Sequence, residues 1–363
     1  MPELLLPGLV MILGAALVPV LPHMIRQIWM LVLIAASAYQ CWHIDPGVHL
    51  TASVIGFDLI LVRAEAITRP FALIFHIAAA LNVIYAMHED SRMTAATGIA
   101  YAGAAIAALF AGDFITLFIY WELTAFTSVF LILAGRNPRS FAAAMRYLLT
   151  QVTSGVILLA GAVVLVGSGS GIAITALSVE TLGGALVLLA FAIKAAFPFV
   201  NGWLQDAYPE ASVTGTVILS AFTTKLAIYM LALCFAGTHM LIWFGVVMTL
   251  FPVFFAVIEN DLRRVLAFSL NNQLGFMVVG IGIGTELALN GTVAHAFAHI
   301  IYKSLLFMSM GAVLYRTGTA KASELGGLWK RMPLTTLFCI IGAVSISSFP
   351  LFSGFVTKSL TIG

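Results

Sequence analysis

Stretches of about 20 mainly apolar residues, the length a helix needs to cross the hydrocarbon core of a bilayer, recur along almost all of this chain. They fall near residues 3–21, 25–42, 70–88, 92–111, 114–134, 141–166, 183–206, 210–235, 240–258, 264–284, 288–315 and 333–363, twelve in all. The fold class expected from them is an all-α polytopic membrane protein. Composition agrees: 61% of the 363 residues are hydrophobic and 9% are charged, against roughly 25% charged in a soluble domain. No basic run is long enough for nucleic acid, so the expected surroundings are the lipid bilayer and other membrane subunits. Between the second and third spans, Val54, Ile55, Phe57, Leu59, Ile60 and Val62 follow a turn signal at Asp45-Pro46-Gly47. That pattern predicts a short surface hairpin near 45–65.

Charge placement sets the expected orientation. Arg26, Arg92, Arg136, Arg139, Arg146, Arg263, Arg264, Arg316, Lys321, Lys330 and Arg331 fall in odd-numbered loops, while the even-numbered loops carry only Arg63 and Arg69. Eleven against two is a strong positive-inside bias, so the odd loops are expected in the cytoplasm and the N-terminus outside, in a bacterial inner membrane. The leading charge, Glu3, is acidic, whereas a secretory signal opens on a positive region; the first span is therefore expected to be retained.

The four remaining basic residues, Lys194, Lys225, Lys303 and Lys358, all lie inside apolar spans. A charged lysine at a bilayer centre costs roughly 2.5–3.5 kcal/mol on insertion scales, and that cost persists only where the side chain meets a paired or hydrated interior. A buried lysine can also lose its proton, which an arginine in practice cannot. Snorkelling toward the interface is an alternative for Lys358. Glu122, within Tyr120-Trp121-Glu122-Leu123-Thr124 of the fifth span, is expected to pair with one of these lysines, as a relay or as a static ion pair. His295, His299 and Lys303 are four apart, which stacks them on one helix face over about 12 Å. Such a row can pass a proton along. Metal binding by the two histidines is the rival reading, and no further carboxylate or thiol on that face supports it.

Two spans carry a proline beside a lysine: Lys194-Ala195-Ala196-Phe197-Pro198-Phe199 in the seventh, and Ser347-Ser348-Phe349-Pro350-Leu351-Phe352-Ser353-Gly354 ahead of Lys358 in the twelfth. Proline removes a helix hydrogen bond, and unwound backbone at membrane depth is tolerated where it lines a cavity or is packed in protein. Paired breaks point to an ion path between internal repeats. Cys41, Cys234 and Cys339 stand apart at no metal or redox spacing, and no nucleophile, phosphate-loop or cofactor motif is present. The expectation is thus of no cofactor and no metal, with any redox centre on another subunit, and of a transporter subunit rather than an enzyme. A membrane scaffold with structural polar residues is the reading from another class.

Taken together, Trp121-Glu122-Leu123-Thr124, Lys194…Pro198…Trp203-Leu204…Ala207…Pro209, Lys225, Asp261-Leu262-Arg263-Arg264-Val265-Leu266-Ala267-Phe268-Ser269…Gln273-Leu274-Gly275-Phe276, His295…His299…Lys303…Leu306-Phe307 and Phe349-Pro350-Leu351-Phe352-Ser353-Gly354-Phe355…Lys358 resemble a known family over essentially the whole chain. It is the antiporter-like subunits shared by Mrp-type multisubunit cation/proton antiporters, the D-type component above all, and by the proton-pumping arm of respiratory complex I. The resemblance implies fourteen helices in two inverted repeats with discontinuous helices in spans 7 and 12. It divides the chain into N-terminal spans over 1–111, a first repeat over 92–235 and a second repeat over 240–363 whose remaining helices would follow Gly363. It implies that Glu122 pairs with Lys194, that Lys225, His295, His299 and Lys303 form a central axis, and that Lys358 ends the second half-channel. Leu219 stands where the eighth span often carries a histidine. Implied with it are protons and a monovalent cation such as sodium as cargo, within a multisubunit complex. The runner-up is a proton-translocating subunit of an NADH:quinone oxidoreductase or membrane hydrogenase, without a redox centre of its own.

Overall fold

With every backbone group to satisfy inside lipid, apolar runs can only coil, and in the computed structural model they do. It describes residues 6–54 and 56–363; the first residues of the first expected span, including Glu3, and Ile55 of the expected hairpin lie outside the described residues. The N-terminal part comprises α1 (Leu9–Ala15), α2 (His23–Trp42), the strands β1 (Gly47–Val54) and β2 (Phe57–Ala64), α3 (Thr68–Tyr85) and α4 (Arg92–Leu109). Next come α5 (Phe114–Leu133), α6 (Pro138–Gly167), α7 (Leu182–Lys194), α8 (Gly202–Ala207), α9 (Val213–Ala221) and α10 (Thr223–Cys234). The last part contains α11 (Met240–Ile258), α12 (Leu262–Ile283), α13 (Glu286–Thr317), the single turn α14 (Leu328–Arg331), α15 (Pro333–Ile346) and α16 (Ser353–Ile362).

Among the described residues, eight helices are long and apolar enough to cross a membrane: α2, α3 with its 3-10 extension to His88, α5, α6, α9 with α10, α11, α12 and α13. Eight falls short of the twelve expected crossings. The difference lies in the short apolar helices Leu9–Val20, Leu182–Lys194 and Pro333–Ile346, and in α4, whose alanines and glycines are packed inside the bundle. α9 and α10 run through the middle with almost every residue buried, whereas α11 is mostly exposed.

β1 and β2 pair antiparallel, Val54 opposite Phe57 and Gly47 opposite Ala64. Buried Asp113 ties this hairpin to the bundle. Its carboxylate caps α5 by accepting from the Ile115 and Thr116 amides and also accepts from the Ile60 amide at 2.7 Å. Two arginines expected in loops turn out to be buried at helix ends. Arg26 is 1% exposed and bound to Asp90; Arg263 is 6% exposed and donates to the Ala211 carbonyl at 2.9 Å and to the Thr216 hydroxyl. A guanidinium has five donors to place; carboxylate, carbonyl and hydroxyl oxygens near the bundle ends take up some of them, while Arg26 Nε has no partner among the described residues.

The proline-marked spans break in one and the same way. α7 ends in a Schellman motif: Ala196 turns left-handed (φ 59), the Phe197 amide reaches the Ala192 carbonyl and the Ala196 amide reaches Ile193. A type II turn follows, with Pro198 second, Phe199 third at φ 72, and the Val200 amide closing on the Phe197 carbonyl. After α15, Ser348 (φ 59), Phe349, Pro350, Leu351 (φ 75) and Phe352 repeat each bond: Phe349 to Val344, Ser348 to Ser345, Phe352 to Phe349. A third break, at Phe222 between α9 and α10, carries neither proline nor glycine.

Candidate functional site

Lys194 is the last residue of α7 and has no exposed surface. Its amine donates to the Trp121 carbonyl and the Thr124 hydroxyl of α5, each at 2.9 Å, and sits 4.0 Å above the Trp121 ring. The Trp121 indole is held in turn by Ser154 of α6, whose hydroxyl donates to the Ala190 carbonyl of α7. A cation at a helix C-terminus also meets the negative end of the helix dipole.

Glu122 does not touch this amine. The two interact electrostatically, but no carboxylate oxygen lies within 4.0 Å of any buried lysine among the described residues. The expected contact pair is therefore replaced by a nearby, unbonded pair. Glu122 lies instead against Gly155 of α6, where a Cβ would come 1.5 Å from Oε1, and Oε1 has no hydrogen-bond partner. The glycine is the space that holds the carboxylate.

Lys225 lies one turn past the break at Phe222, and the break explains its position. Unwinding there frees the carbonyls of Leu219 and Ser220 and the amide of Thr223. The Lys225 amine donates to Ser220 O at 2.6 Å, the Tyr208 hydroxyl donates to Leu219 O at 2.9 Å, and the Thr223 amide donates to the Tyr101 hydroxyl at 2.9 Å. The Thr223 hydroxyl bonds Tyr101 at 2.5 Å, and the hydroxyls of Tyr147 and Tyr208 approach it. Tyr147 in turn bonds Ser128 of α5 at 2.8 Å, one turn beyond Thr124. Sequence reading missed this buried hydroxyl cluster. Leu219, the position lacking the family's histidine, supplies it with a backbone oxygen.

His295, His299 and Lys303 share the buried face of α13, all without exposed surface. His295 Nδ1 bonds the Thr357 hydroxyl of α16 at 2.9 Å, and Lys303 donates to Ser269 of α12 at 2.5 Å. Both ring nitrogens of His299 and Nε2 of His295 lack partners, as do both side-chain polar atoms of Asn271 and Gln151. Buried polar groups are normally satisfied, by protein or by ordered water. Lys225 lies near enough for its charge to act on His295, His299 and Lys303, with no hydrogen bond to any of them among the described residues. Lys358, half-buried, donates to Ile346 O at 2.9 Å and lies 5.8 Å from the Phe276 ring, itself 5.6 Å from His295. Of the seven expected residues, Lys194, Lys225, His295, His299 and Lys303 are fully buried and Glu122 and Lys358 half-buried, and no hydrogen bond or ion pair joins Glu122 to Lys194.

A family model described as NADH:quinone oxidoreductase/Mrp antiporter, TM, matches residues 111–363. The A-type component of the Na(+)/H(+) antiporter of Alkalihalophilus pseudofirmus is 29% identical over 358 residues, covering 88% of this chain and 43% of that protein. The NAD(P)H-quinone oxidoreductase chain 4 1 of Synechococcus sp. is 28% identical over 333 residues, covering 87% and 62%. A solved structure, the Mrp complex from Dietzia sp., superposes with a TM-score of 0.87 at 25% identity over 98% of this chain and 72% of the matched one. The chain spans about half the length of the curated relatives it matches.

Proposed function

This chain belongs to the NADH:quinone oxidoreductase/Mrp antiporter transmembrane family, and we propose that it is a proton-translocating subunit of a multisubunit cation/proton antiporter exchanging sodium for protons. One observation carries the reading. Lys194, Lys225 and Lys303 have no exposed surface, and their amines are hydrogen-bonded to neutral oxygens only. A permanently charged structural lysine would be placed against a carboxylate; an amine held by carbonyls and hydroxyls is set up to gain and release a proton. In this reading Glu122 and Lys194 exchange charge across the unbonded gap between them. The Tyr101–Thr223–Tyr147 hydroxyls carry the step a histidine at 219 would carry, and Lys225, His299, His295 and Lys303 pass the proton to Lys358.

The matching bonds of the two proline breaks support two internal repeats, over 92–235 and from 240 onward. The loop arginines support an N-terminus outside, and a bacterial inner-membrane setting is part of the same proposal. The test is cation-dependent pH change in everted vesicles carrying the complete complex. Glu122→Ala and Lys194→Ala should each abolish it, and wild-type activity in both sinks the relay.

The second reading, a proton-translocating subunit of a redox-driven complex, is favoured by the similarity to the quinone oxidoreductase chain. Purification of the native assembly separates the two: iron–sulfur signals and NADH- or hydrogen-dependent reductase activity support the redox reading, and their absence beside small antiporter subunits supports the first.

A further inference from the structure

Away from the lysine row, a small cavity of ≈ 30 Å³ opens where α2, α3, α4 and α9 meet, room for roughly one or two water-sized particles. Its polar lining is Gln27, Asn82, Glu89, Ser91, Thr94 and Thr214. Gln27 is 5% and Asn82 8% exposed, and Gln27 Oε1 and Asn82 Oδ1 have no hydrogen-bond partner. Gln27 and Asn82 both line this small space, and their buried, unsatisfied acceptors call for a donor or a cation that the described residues do not provide.

The charges around the cavity narrow the choice. Arg26 is bound to Asp90 and holds that carboxyl below the usual carboxylate range, with His23 and Arg92 acting on it more weakly. Asp90 is thereby committed to the guanidinium. Glu89 keeps its carboxylate toward the cavity, where the Thr214 hydroxyl donates to Oε2 at 2.6 Å, and the Ser91 and Thr94 hydroxyls bond each other at 2.8 Å beside it. The ligand set is all oxygen: one carboxylate, two amide carbonyls and several hydroxyls. Such hard donors suit alkali and alkaline-earth ions, and calcium sites usually gather several carboxylates. A single carboxylate among neutral oxygens fits a monovalent ion.

We propose that Gln27, Asn82, Glu89, Thr94 and Thr214 bind one partly dehydrated monovalent cation of sodium size. The site lies off the proton row, and Thr214 belongs to the same helix pair as Lys225, so the cation and the proton would meet along α9 and α10. Its role in transport rests on the antiport reading; the binding does not.

The experiment is equilibrium binding of ²²Na⁺ to the purified native complex in a choline background. Wild type should show a saturable site that Glu89→Gln and Asn82→Leu each weaken tenfold or more. Glu89→Gln keeps the shape of the side chain and an acceptor for Thr214, so it tests the charge without removing a contact. Undiminished binding in Glu89→Gln, or no saturable binding in wild type, overturns the proposal and leaves the cavity to water. Binding that persists in wild type without antiport counts against the transport reading alone; antiport with no ²²Na⁺ loss in either variant counts against this site alone.

Discussion

The breaks after α7 and after α15 share every backbone bond, yet they are furnished differently. In the first, Lys194 precedes the break and turns toward α5, while the Ile193 carbonyl is taken by the Trp203 indole at 2.9 Å. In the second, the position matching Lys194 is Ile346, and its carbonyl receives the amine of Lys358 from beyond the break. The first is packed: Ala195, Ala196 and Phe197 are buried, and only Phe199 stands fully exposed. In the second, Phe349, Pro350 and Leu351 are exposed on this chain, which spans only part of its relatives' length. Backbone chemistry builds the break, and the surrounding helices decide what it does. One break buries an amine in a fixed oxygen cage; the other holds a half-buried amine at the end of a carbonyl.

That contrast can be broken by experiment. The largest effect is expected from Lys194→Arg, which keeps a cation at the first break but not one that sheds its proton: antiport by the complete complex should fall below a tenth of wild type, whereas Lys358→Arg at the second break should lose less. Equal losses would erase the distinction. Gly155→Ala comes next, since its methyl occupies the space of the Glu122 carboxylate. Antiport should fall at least tenfold with assembly preserved, and a normal rate would show that Glu122 has another seat.

Tyr101→Phe tests the unmarked break at Phe222 against the two proline-marked ones. It leaves the Thr223 amide and hydroxyl short of a partner, at a cost of about 1–3 kcal/mol, read as a lower unfolding temperature of the purified complex together with a several-fold slower exchange. The smallest effect is expected from Leu351→Gly. It relieves a left-handed residue at the third position of a type II turn, where glycine is preferred, and should stabilise by about 1 kcal/mol; destabilisation would show that exposed Leu351 is held by a contact.

Much of this was legible in the chain itself. The Phe-Pro dipeptides beside Lys194 and before Lys358 announce their breaks because proline leaves no donor for the helix, and the four-residue spacing of His295, His299 and Lys303 places them on one face by helix geometry alone. The break at Phe222 could not be read this way. It exists because Tyr101, 122 residues away along the chain, occupies the amide of Thr223. The same holds for Glu122: its place inside an apolar span announces a carboxylate at membrane depth, but not that Lys194 would spend its hydrogen bonds on the Trp121 carbonyl and Thr124.

The order of apolar runs, the amines within them and the positions of the proline breaks were thus determined by sequence, since each follows from local hydrogen bonding and the cost of charge in hydrocarbon. The tyrosine cluster, the Gly155 seat for Glu122 and the oxygen-lined cavity at Glu89 were decided only by packing. Each depends on helices distant in sequence closing to hydrogen-bond range, and no local pattern encodes which carbonyl, hydroxyl or empty space will meet a given side chain.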